Sequence, residues 1–122
     1  MDKEEAKSRL RCYADQLYDW TQKLDIDNPR SLLNTWLNKA PKVKNDRNFM
    51  RKVDQYKRST AQIRDQILDA IDYIDTLDEK KSGRRAVELA LEDIVSREAA
   101  RSCAHQKRMV DELSKSYKEA AK

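Results

Sequence analysis

Cys103 and His105 come closest in type and spacing to a reactive pair. His105 is the sole histidine, and a Cys-x-His pair can open a zinc site or set an imidazole beside a thiol. Neither chemistry is completed. No further ligands stand at metal spacing, and positions i and i+2 of a helix point to different sides. One glycine cannot build a phosphate-cradling loop. Asp65, Asp69, Asp72, Asp75 and Asp78 recur at steps of three and four, the spacing of a solvated helix face and not of an acid–base pair in a cleft. Cys12 and Cys103 are far apart in sequence and read as two reduced thiols. The expectation is a non-enzymatic protein with no catalytic residue, metal, cofactor or small-molecule substrate.

Charge placement carries more. From Lys42 to Arg64 bases dominate: Lys42, Lys44, Arg47, Arg51, Lys52, Lys57, Arg58 and Arg64 against Asp46 and Asp54. From Asp65 to Glu79 every charge is negative. This order opposes the helix dipole at some tenths of a kcal/mol per exposed charge, which suggests a partner for each end. Arg47, Arg51 and Arg58 stand at steps of four and seven, near one helical face, with Lys44 just upstream. A second basic cluster, including Arg101, Lys107 and Arg108, borders the small residues Ala99, Ala100, Ser102, Cys103 and Ala104. These two sets are the candidate phosphate contacts for nucleic acid. The same charges suit a solvated surface, pairing of the acidic run with Lys80, Lys81, Arg84 and Arg85, or an antiparallel homodimer of third helices. Candidate protein contacts are Asp65, Asp69 and Asp72, with Trp36 as a hot spot if exposed and a core residue if not. Tyr56 can stack on a base or pack.

The elements that must position these residues are helices. The 122 residues hold 39% charged and 39% hydrophobic side chains with one Gly and two Pro, and the net charge is +4. This composition points to one all-α domain, a bundle of about four helices with a long central heptad-patterned helix. Residues 1–40 read as an N-terminal helical hairpin. Its first helix, Lys3 to Leu24, carries Leu10, Tyr13, Leu17, Trp20 and Leu24 on one stripe. Its second runs from Pro29 to Lys39, with Asn28 as N-cap. Pro41 to Asp46 reads as a polar, basic connection. The long helix, 46–78, has a seam through Phe49, Val53, Tyr56, Thr60, Ile63, Ile67, Ala70, Ile74 and Leu77. At roughly 50 Å it needs a neighbour, either within the chain or in a coiled-coil dimer. Ser82 is a possible cap for a C-terminal segment, 84–122, whose middle reads either as a turn or as continuous helix. No apolar stretch approaches the roughly 18 residues of a membrane span and no signal peptide is evident, so a cytoplasmic setting is expected.

Ile63 to Leu77, then Arg84-Arg85-Ala86-Val87-Glu88-Leu89, then Leu91-Glu92-Asp93-Ile94 and Ser102 to Met109 resemble phage-encoded late-transcription regulators of the ArpU/RinA type. The resemblance implies a long helix leading into a DNA-binding helix-turn-helix, with Lys107 and Arg108 on a recognition-like helix. Ala99-Ala100 stands where the turn would carry Gly. The function expected is thus a regulator from a phage or mobile element that binds nucleic acid. The alternatives are a protein-binding inhibitor or adaptor of a host machine, anti-CRISPR-like, and a structural coiled-coil dimer.

Overall fold

The computed structural model describes all 122 residues, and the chain is all-α. Helix α1 (Lys3–Lys23) starts at Asp2, whose carboxylate accepts the Glu5 N–H at 2.7 Å. Helix α2 (Leu32–Lys39) starts later than expected. Asn28 closes a local turn by accepting the Arg30 N–H at 3.1 Å, so it cannot cap, and Ser31 Oγ takes the cap by accepting the Asn34 N–H at 3.1 Å. Asn34 in turn donates to the carbonyls of Ile26 and Asn28, which fixes the loop. The connection Pro41–Asn45 is a 3₁₀ turn that buries Val43 completely, so it is not the wholly polar link expected. Helix α3 (Arg47–Thr76) is capped by Asp46, whose carboxylate accepts the Phe49 N–H at 3.1 Å. Its 30 residues span about 45 Å.

A short turn of helix, α4 (Glu79–Ser82), precedes Gly83, the one residue at positive φ (85°). Gly83, not Ser82, then occupies the cap position of α5 (Arg84–Glu92), with no side-chain bond. Residues 93–99 form a π-helical stretch, and α6 (Ala100–Ala121) follows without a break in backbone conformation. The segment 84–121 is one rod, so Ala99-Ala100 makes no turn. Val87, Leu91, Val95, Ala99 and Cys103 are all buried. Their steps of four overshoot the 3.6-residue turn of an α-helix and would carry the stripe off the core. The wider turn of a π segment removes that drift.

The rods pack around a shared core. Lys7 pairs with Asp75, and Lys57 with Asp25 at 3.6 Å, which sets α1 antiparallel to α3. Gln106 on Thr60 (2.8 Å) and Lys52 on Ser116 (3.4 Å) set α6 antiparallel to α3 on another side. Helix α1 covers only the C-terminal half of α3, where Ala6, Leu10, Ala14 and Leu17 meet Ile67, Ile71, Ile74 and the Val87–Cys103 stripe. Over the N-terminal half its place is taken by α2 and Val43, which join Leu24, Phe49, Val53, Tyr56 and Leu113. Helices α1 and α2 therefore share α3 end to end, and α1 packs chiefly on α3; they are not a hairpin lying along each other. The seam of α3 is covered within the chain.

Candidate nucleic-acid interface

Arg47, Arg51 and Arg58 are exposed on the side of α3 opposite the buried Thr60, so the expected stripe exists. Arg51 donates to Asn48 Oδ1 at 3.1 Å and Arg58 pairs with Asp54 at 3.0 Å, both on the same helix. No carboxylate from another element reaches the three. Arg101, Lys107 and Arg108 are exposed on α6 and make no ion pair. The six do not form one surface. Arg101 and Arg108, seven apart, share a stripe that Lys115 and Lys122 continue, whereas Lys107 sits about 100° around the helix from Arg108. By the α3–α6 register, Arg108 lies level with Arg58, and Arg101 lies beyond the Thr60–Gln106 level, beside the acidic half of α3. Between the α3 and α6 stripes runs a groove of about 410 Å³, lined by Lys52, Gln55, Ser59, His105, Met109 and Glu112 among others. Lys52, Lys115 and Lys122 stand in the two basic clusters of the sequence but not among its six candidate contacts, although the seven-residue recurrence from Arg101 to Lys122 is legible there.

The acidic half of α3 is equally open. Asp65, Asp69 and Asp72 are exposed and unpaired, while Asp75 holds Lys7 and raises the pKa of that amine. The expected partners for this run do not supply it: Arg84 pairs with Glu88 at 3.2 Å, and Lys80, Lys81 and Arg85 pair with nothing. A second groove of about 420 Å³ lies between α3 and the π stretch, and its lining includes Gln66, Asp69, Tyr73, Asp93, Ile94 and Glu98. Tyr73 and Leu89, 54% and 56% exposed, are the most exposed large apolar side chains. The two halves of the molecule differ in charge. Residues 19–62 and 103–122 carry 15 Lys and Arg against 8 Asp and Glu; the remainder carry 11 against 14.

Trp36 is not a surface hot spot. It is 8% exposed, stacked on Tyr117 at 5.1 Å between centroids, with Phe49 at 6.3 Å from both rings. Its place on the apolar face of α2, above the Val43 turn, puts it in the core. Tyr56 packs too, 4% exposed, and burial pushes its phenol up to about 12. Cys103 is buried with its thiol raised to about 11, while His105, two residues on, faces solvent. No three His, Cys, Asp or Glu side chains are placed to hold a metal ion, and no helix is long and apolar enough to cross a membrane. Comparison with protein-family models, curated proteins and solved structures finds no match for this chain.

Proposed function

We propose that this chain is a non-enzymatic binding protein that holds nucleic acid by its phosphates, through the basic half of the bundle. The observation that carries the reading is the exposed Arg47–Arg51–Arg58 stripe, free of carboxylates from other elements; the Arg101–Arg108–Lys115–Lys122 stripe is a separate basic face across the α3–α6 groove. Guanidinium groups so placed suit backbone phosphates, which carry affinity without sequence information. The helix-turn-helix that the resemblance implied would read base edges, and 84–121 is continuous helix with no turn to form one; phosphate contact is the mode supported. The resemblance to late-transcription regulators adds the setting, a phage or mobile-element regulator. The test is retention of labelled duplex and single strands across a salt series. Wild-type affinity should fall steeply with salt, and replacing Arg47, Arg51 and Arg58 by Ala should flatten the log–log slope by roughly 2–3, at about 0.9 per lost phosphate contact. No retention at low salt, or an unchanged slope in the variant, would overturn the reading.

A second reading, a protein-binding inhibitor or adaptor, is favoured by the acidic groove with the exposed Tyr73 in its lining, a mix of apolar and charged surface typical of protein contacts. It expects a co-purifying protein that survives nuclease and is lost when Tyr73 and Asp69 are replaced.

A further inference from the structure

We propose that two copies of this chain pair through the outward face of α3, antiparallel about a two-fold axis near Ala61, with Arg47, Arg51 and Arg58 of each copy on Asp72, Asp69 and Asp65 of the other. A two-fold interface repeats every contact, so a stripe can form one only if it complements its own reversal. The outward stripe of α3 reads basic at Arg47, Arg51 and Arg58 and acidic at Asp65, Asp69 and Asp72, and all six side chains are exposed. Reversed, it lays each base on an acid. The midpoints of 47 and 72, of 51 and 69, and of 58 and 65 all fall between residues 59 and 62, so one axis serves every pair. The residues at that axis, Ala61 and Gln62, are uncharged and exposed, and no like charges meet there. Asp54, the acid within the basic half, is held by Arg58 of its own helix at 3.0 Å. Tyr73, half exposed beside Asp72, offers its ring to the arriving Arg47 guanidinium. The arrangement also accounts for a charge order that runs against the helix dipole.

Each exposed pair is weak alone and screened by salt, so the dimer forms at low ionic strength and dissociates at high. The inference goes beyond the proposed function but uses the same arginines, so dimerisation and phosphate binding compete. Sedimentation at about 10 mM salt should show a dimer, and at about 1 M, where the Debye length is ~3 Å, a monomer. The variant with Arg51→Glu and Arg58→Glu should be monomeric, as should the variant with Asp65→Arg and Asp69→Arg; mixed one to one, they should restore a dimer. Circular dichroism on each variant confirms the fold, since the sites are exposed. A wild-type monomer at low salt, a dimer that persists in either variant alone, or a mixture that stays monomeric would overturn the proposal. Retention on nucleic acid is scored separately. The Asp→Arg variant should bind phosphate more tightly than wild type, and if neither it nor wild type is retained while the mixture still pairs, the phosphate reading falls and the dimer stands.

Discussion

Thr60 and Gln106 meet at 2.8 Å where the two apolar clusters stop, both almost fully buried. Thr60 also donates to the Tyr56 carbonyl at 2.7 Å, so its own hydroxyl stays satisfied without Gln106, whereas the Gln106 amide depends on Thr60. Thr60→Val should therefore cost about 1–3 kcal/mol in urea unfolding, by leaving a buried amide unpaired. Adding Gln106→Leu removes the unpaired group, and the double variant should be more stable than Thr60→Val alone. Strictly additive losses would show that the pair is not coupled. Beside this layer, the Cys103 thiol and Tyr56 phenol stay protonated to about 11 and about 12, against ordinary values of 9.0 and 10.0. From about pH 9 upward the unfolded chain sheds these protons first, so it binds fewer protons than the fold and stability falls as pH rises. The contribution is intact below about pH 9 and gone above both folded values. Melting temperature should decline over that window and decline less in Cys103→Ala; a flat profile would contradict the assignment. The layer was half legible in the sequence. Thr60 stood out as the polar member of a heptad seam, but nothing in the spacing of α6 marked Gln106 as its partner, because that depends on how two rods are set against each other.

Among the helices, α3 was the most legible, because its seam repeats over four heptads. The seam drifts all the same: Ile71 is buried and Ala70 is not fully so, since a straight helix slips about 20° per heptad against a strict seven-residue repeat. The π stretch escaped notice because Ser96 to Arg108 looks small and polar. The strict steps of four from Val87 to Cys103 are its mark, and they read as a surplus of one residue. Deleting Arg97, exposed within the stretch, should therefore let it close into regular α-helix with both flanking faces still on the core. Deleting Arg108, equally exposed but in regular helix, should turn Met109 to Tyr117 by about 100° off the core and destabilise the fold severely. Thermal melts of the two deletions, followed by helical circular dichroism, check this; equal damage from both would mean the π stretch holds no spare residue. The start of α2 was misplaced for a different reason. Asn28 and Ser31 are both competent caps, and only the turn drawn closed by Asn34 decides between them.

Across the whole molecule, the covering of α3 could not be read from one stripe. A long apolar edge asks for a neighbour, but whether that is a second copy or two shorter helices laid end to end depends on where α1 stops. It stops at Leu24, fully buried where one cluster gives way to the other. The α3 stripe was legible as a face, whereas the six candidate cations together proved to be two stripes and an outlier once α6 was set beside α3. The pairing of the acidic run with Lys80 to Arg85 failed because those bases leave on α4 and α5, turned away at Gly83.

The chain ends sit at opposite poles of this long molecule. Met1 packs against the cluster that holds Val87 and Leu91, while the Lys122 carbonyl accepts from Lys42 at 2.6 Å near the 3₁₀ turn. A tag or tether therefore selects a pole. Anchoring by the amino terminus leaves the lysine- and arginine-rich pole free in solution, and anchoring by the carboxyl terminus buries that pole against the support. Which end is immobilised thus decides which half of the protein a binding assay can sample.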